Sequence, residues 1–175
     1  SQYALQIVES KEGRIFLNMG FELCEYIHEE ERFKVVIPDL FHNNTYTFNI
    51  FIDESDNLWT INAGLIRCFD LATMELKASF DREEQQTQYA YLRDNGELWL
   101  ASYNRLSILD TRTGSYMDTP EVIARHPQLS EAVINFIHPY NHSSLLINTQ
   151  KGVYLYNFSE ERVISQDENG FPFEP

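Results

Sequence analysis

The sequence predicts an all-β chain of four repeated units, each a sheet of about four antiparallel strands, and three observations point there. The first is a pattern that lies over the chain four times without a gap, with Phe16, Trp59, Trp99 and Leu146 as anchors spaced 43, 40 and 47 residues apart. One residue before each anchor stands Ile15, Leu58, Leu98 or Leu145, and seven after stands Leu23, Ile66, Leu106 or Val153. Ten after comes Tyr26, Phe69, Leu109 or Tyr156, and eleven after comes Asp70, Asp110 or Asn157, with Ile27 as the exception in the first copy. Three before the anchor is Gly13, Asp56, Gly96 or Ser143, each small or turn-forming. The second observation is composition: of 175 residues, 43% are hydrophobic and 14% aromatic, mostly Tyr and Phe. That is ample apolar matter for a core, of the kind that pleated, half-buried strands prefer. The third is turn chemistry, such as Asp94-Asn95-Gly96, whose Asn and Gly tolerate positive φ in a tight hairpin. A period of roughly 40–50 residues is that of a β-propeller blade.

Alternation and turn residues place the strands in order. The first copy turns at Lys11-Glu12-Gly13 and ends in an outer strand from Phe33 to Ile37, halted by Pro38. In the second, Asn49 to Ile52 form the inner strand, 53–57 the connection and Leu58 to Ile61 the second strand. Asn62-Ala63-Gly64 then turn the chain into a third strand, Leu65 to Asp70, with Leu76 to Phe80 at the rim. The third copy repeats this arrangement around Trp99. The fourth places strands near Asn135 to Ile137, Leu145 to Asn148, Gly152 to Asn157 and Arg162 to Ile164. Blades of about 1–40, 41–82, 83–127 and 128–165 fill the single domain, followed by an acidic, linker-like tail at 166–175. Phe41 to Tyr46 bridge the first two blades. The longer stretch Thr119 to Val133 bridges the last two, with a helical turn expected at Ser130 to Val133.

Thirteen Lys and Arg face 27 Asp and Glu, a net charge of −14, which repels phosphate backbones and argues against a nucleic-acid partner. No apolar run approaches the roughly 20 residues a bilayer-spanning helix needs, so no membrane contact is expected within the chain. Without a leader or an initiator Met, it reads as an excised or processed segment. Cys24 and Cys68 sit on third strands of consecutive blades. Sheets pack about 10 Å apart, too far for a disulfide, so free buried thiols are expected.

Asp53-Glu54-Ser55-Asp56-Asn57-Leu58-Trp59, followed by Gly64-Leu65 and closed by Phe69-Asp70, resembles the two-component regulator propeller repeat. Asp94-Asn95-Gly96-Glu97-Leu98-Trp99 through Leu109-Asp110 is similar to it as well. The first copy lacks the Trp and the closing Asp, and the fourth has Ser143-Ser144 at the turn. The resemblance implies a segment of a larger propeller, from the extracytoplasmic (periplasmic) sensor region of a bacterial hybrid two-component histidine kinase. Many members of that family respond to polysaccharide breakdown products. It further implies the remaining blades of a parent protein as partners. Four blades at seven-bladed curvature would leave the end blades uncovered, on faces bearing Leu23 and Glu25 or Tyr154 and Tyr156, and the isolated segment is expected to self-associate.

No catalytic, metal or cofactor site is expected. His138 and His142 have the spacing of a helical metal pair, but Pro139 between them breaks that helix and leaves a loop. Asp53, Ser55 and Asn57 echo a calcium loop but lack its Gly and closing Glu. Glu29-Glu30-Glu31 reads as a solvated turn, and the two tryptophans as core. Ligand binding is expected at the connections between blades and at the turns between second and third strands. These gather His42, Asn43, Asn44, Tyr46, Asn62, Tyr103, Asn104, Arg105, Gln150 and Lys151. Rings stack on sugar faces and amides answer hydroxyls, so the set suits an oligosaccharide. Ordinary polar loops would look the same. The expected function is therefore a non-catalytic sensor segment for carbohydrate-derived ligands, with a protein-interaction scaffold or a propeller lyase or hydrolase as alternatives.

Overall fold

The computed structural model describes residues 4–19, 22–38, 40, 48–62, 64–81, 87–103 and 105–172. Among the described residues, sixteen strands form four four-stranded antiparallel sheets, each a meander in chain order. The first sheet is β1 (Ala4–Glu9), β2 (Ile15–Met19), β3 (Glu22–Ile27) and β4 (Arg32–Ile37). The second is β5 (Phe48–Ile52), β6 (Asn57–Asn62), β7 (Leu65–Asp70) and β8 (Leu76–Asp81). The third is β9 (Thr87–Leu92), β10 (Glu97–Ser102), β11 (Arg105–Asp110) and β12 (Ser115–Met117). The fourth is β13 (Ile134–Asn141), β14 (Ser144–Thr149), β15 (Gly152–Asn157) and β16 (Arg162–Ser165). The chain divides into two compact units, Ser1–Gln86 with the first two sheets and Thr87–Pro175 with the last two. The expected bridge from Phe41 to Tyr46 lies outside the described residues.

One register recurs in all four sheets. The anchor pairs with the residue nine later: Phe16 with Glu25, Trp59 with Cys68, Trp99 with Ile108 and Leu146 with Leu155. The residue seven after the anchor therefore shares the anchor's face, because it pairs two positions along, as Ala101 does with Leu106. The residues one before and ten after pair with each other, as Leu58 does with Phe69, and occupy the opposite face. The repeat thus makes both faces of every sheet apolar, as a sheet stacked between two neighbours requires. Each unit shows the stacking. In the first, Phe16 and Leu23 of the first blade form a core with Leu58 and Phe69 of the second. In the other, Trp99 and Leu106 of the third pack with Leu145 and Tyr156 of the fourth. The anchor face of one blade meets the opposite face of the next.

This rule corrects the expected open faces. Leu23, Tyr154 and Tyr156 are buried, because they point toward the neighbouring blade of their own unit. Glu25 is tied to Arg14, whose Nε donates to it at 2.7 Å while Nη1 donates to the Leu71 carbonyl of the second blade at 2.6 Å. Phe16, Trp59 and Trp99 are buried as expected, whereas Leu146 is only half-buried, since its face turns away from the third blade. Cys24 and Cys68 are free and buried, each on the face of its sheet that points away from the other blade of its unit. Burial pushes both thiols up, Cys68 to about 11.

The turns follow the repeat too. Gly13, Asp56 and Gly96 all take positive φ, and each N–H donates to the carbonyl three residues back. A methyl at Gly96 would be strained at φ +83° and would meet Arg112 Nε at 3.3 Å. Gly96→Ala should therefore cost about 1–2 kcal/mol, read as a lower urea midpoint. Asp70, Asp110 and Asn157 each accept from backbone N–H groups of the turn that follows them. Those bonds hold the Asp70 carboxyl below its ordinary range, and the Arg112 side chain does the same for Asp110. In the first copy, where Ile27 replaces the Asp, a 3₁₀ turn at His28–Glu30 makes the reversal, with Glu29, Glu30 and Glu31 exposed.

Two expectations are corrected in the fourth blade. His138 and Pro139 lie in a strand, β13, which runs on to Asn141. β13 is the edge of its sheet, where proline's missing N–H breaks no ladder. The helical turn before it is α1 (Glu121–Ala124), nine residues earlier than expected, where Pro120 precedes an acidic first residue.

Candidate functional site

At one end of the third and fourth blades, the structure gathers four of the expected ligand residues. Tyr103 and Arg105 flank the β10–β11 turn, Gln150 and Lys151 form the β14–β15 turn, and all four are exposed, Tyr103 by 62%. Two backbone bonds join these turns through the start of β13. The Ile134 N–H donates to the Tyr103 carbonyl at 3.0 Å, and the Gln150 N–H donates to the Val133 carbonyl at 3.1 Å. Thr149 Oγ1 accepts from the Lys151 N–H at 3.0 Å, which stiffens the second turn. Tyr154 Oη donates to Gln128 at 2.7 Å, tying the long inter-blade segment to the same end. Burial pushes the Tyr154 phenol up.

Four neighbours escaped the sequence reading as ligand residues. Tyr89 of β9 is exposed and meets the Phe136 ring of β13 edge-on at 6.3 Å. Asn135 Nδ2 donates to Asn148 Oδ1 at 2.8 Å beside them. The alternation Thr87-Gln88-Tyr89-Ala90-Tyr91 marks a strand, but only the sheet order shows that β9 is an edge strand. Together these groups offer rings for stacking, amides for hydroxyls and two cations, with no nucleophile–base pair among them.

Asn62 lies in the other unit and is buried at the end of β6. His42, Asn43, Asn44, Tyr46 and Asn104 lie outside the described residues.

Apart from these turns, a cleft of about 930 Å³ opens between the third and fourth blades beside α1. Trp99, Tyr156 and Phe158 line it, but its polar groups are largely spoken for. Arg93 lies 3.8 Å over the Phe158 ring and pairs with Glu97 at 2.5 Å, and Arg125 pairs with Glu121. Among the described residues, no three His, Cys, Asp or Glu side chains are grouped to hold a metal ion, and no helix is long and apolar enough to cross a membrane.

No family model matches the sequence, and no curated protein is similar to it. Solved structures are similar over nearly the whole chain. The extracellular domain of the hybrid two-component system BT4673 of B. thetaiotaomicron superposes with a TM-score of 0.71 at 15% identity, covering 98% of this chain and 22% of that one. Virginiamycin B lyase of Staphylococcus aureus gives 0.70 at 12% identity, over 95% of this chain and 56% of the lyase. The WD40 repeats of RRP9 give 0.65 at 13% identity, over 94% and 53%. The fold is of the β-propeller type. At such identities the likeness establishes fold alone, and these propellers differ in what they do. The chain spans about a quarter of the length of the two-component extracellular domains.

Proposed function

We propose that the chain is a segment of the extracytoplasmic sensor region of a hybrid two-component signalling protein, a binding module that helps detect carbohydrate-derived ligands and has no catalytic role of its own. One observation carries this reading. The turns of adjacent blades present Tyr103, Arg105, Gln150 and Lys151 together at one end, with Tyr89 and the Asn135–Asn148 pair beside them. The likeness to two-component extracellular domains over nearly all of the chain supports the setting. In that setting the remaining blades belong to the parent protein, and the segment works outside the cytoplasm.

A glycan-panel binding measurement on the complete sensor region tests the ligand. Retention of one oligosaccharide class is expected, weakened several-fold and up to about tenfold by Tyr103→Ala, since a stacking ring contributes about 0.5–1.5 kcal/mol beyond the area it buries. A panel without any retained glycan overturns the carbohydrate reading. The lyase shares the fold, and release of cleavage products from the same panel, seen by mass spectrometry, would replace sensing with turnover.

A further inference from the structure

The cleft beside α1 lies wholly within the unit of the third and fourth blades, and its polar groups do not all satisfy one another. The pairs Arg93–Glu97 and Arg125–Glu121 use both guanidinium groups of its wall. Asp118 and Glu161, both exposed, are left over and make no ion pair among the described residues. Four carboxylates thus face two cations. Tyr156 is an independent sign. Its side chain is only 3% exposed, yet its hydroxyl makes no hydrogen bond among the described residues, where a buried tyrosine usually finds a partner. The ring packs against Trp99 and edge-on against Phe158. The charges that act on its phenol are those of Glu161, Arg93 and Glu97, three residues of the cleft wall, so the hydroxyl opens on the cleft.

The rest of the wall is apolar and partly open, with Met117 39% exposed and Val122 half-buried. Arg93 shows what such a wall accepts: its guanidinium lies 3.8 Å over the Phe158 ring while it pairs with Glu97. A volume of about 930 Å³ is that of a small-ligand site, for which roughly 300–1,000 Å³ is usual. The carboxylates are not grouped to hold a metal ion, which leaves an organic cation. We propose that this cleft binds a small organic cation, an amidinium, guanidinium or ammonium group carried on an apolar body. The cationic end meets the Glu161 carboxylate and donates an N–H to the Tyr156 hydroxyl oxygen, and Asp118 adds to the attraction. The apolar body lies against Met117 and Val122. The cleft shares no residue with the Tyr103 turn, so this site stands or falls separately from the carbohydrate reading.

Benzamidine, benzamide and benzoate test this, because they share one ring and nearly one shape but are cationic, neutral and anionic. Each is titrated into the 175-residue chain while NMR follows the indole N–H signals of its two tryptophans. The Trp99 indole donates to Glu97 in the cleft wall, whereas Trp59 lies in the other unit and serves as the control. Benzamidine should shift the Trp99 signal saturably with a Kd of about 1 mM or tighter. Benzamide should bind several-fold more weakly, benzoate should not bind, and the Trp59 signal should stay in place. No saturation with benzamidine by about 10 mM, or equal binding of all three probes, overturns the proposal. Tyr156→Phe and Glu161→Gln should each weaken benzamidine about threefold or more, the worth of one hydrogen bond or charge contact. Neither should move the urea midpoint, since neither the phenol nor that carboxylate bonds to the rest of the described chain. Unchanged affinity in either folded variant places the cation elsewhere and sinks the site as drawn.

Discussion

Trp99→Ala is expected to lower the unfolding free energy by about 3–5 kcal/mol, the usual cost of truncating a buried aromatic. Its ring is almost fully buried, 5.5 Å from Tyr156 and 5.4 Å from Phe158 in the core shared by the third and fourth blades. Its indole Nε1 also donates to Glu97 at 3.4 Å. The cavity left behind would sit where two sheets meet, and neither backbone can collapse into it without breaking its ladder. Leu146→Ala is the internal control. It changes the same repeat position in a blade whose anchor face is half open, and should cost markedly less. Urea denaturation of both variants checks this, and equal losses would mean that burial at the anchor is not what the repeat protects.

Asp53→Ala should cost about 2–3 kcal/mol, although Asp53 belongs to a surface turn. Its Oδ1 accepts from the backbone N–H groups of Ser55 and Asn57, both at 2.9 Å, and its Oδ2 accepts from Trp59 Nε1 at 2.8 Å. Alanine would strand the indole N–H against apolar surroundings, and an unmet buried donor alone costs about 1–3 kcal/mol. The loss should shrink by about 1 kcal/mol or more in a Trp59→Phe background, where there is no N–H to satisfy. A loss that is unchanged in that background would show that Asp53 acts on the turn only.

The third blade solves the same problem with different residues. Arg93 stands where Asp53 does, and Glu97, four residues on, supplies the acceptor for the tryptophan. The sequence shows the repeated Trp plainly but hides this exchange, since neither position conserves charge.

Strand order, the anchor spacing and most strand limits were legible because they rest on apolar side chains repeating in a fixed register. Faces were harder. The spacing of Leu23 and Tyr154 identifies them as inward, but which neighbour they meet depends on the direction of stacking, which no single blade reveals. The same limit kept Tyr89 out of view. Turn geometry was partly hidden as well: Glu31, Met74, Gly114 and Glu161, each fifteen residues after its anchor, all take positive φ. Only one of them is glycine, so a reading by residue type passes over three. Pro139 misled for the opposite reason, because a strong breaker is tolerated on an edge strand.

The meander within each blade also bears on how fast the chain can fold. Every strand pairs with its neighbour in sequence, so the ladders close over short loops at little entropic cost. Contacts of greater sequence separation come mainly from stacking one finished blade on the next, as where β1 meets β5 and β9 meets β13. Low contact order of this kind favours rapid folding for an all-β chain. The late step is then the docking of preformed sheets, where the buried tryptophans would report in stopped-flow fluorescence.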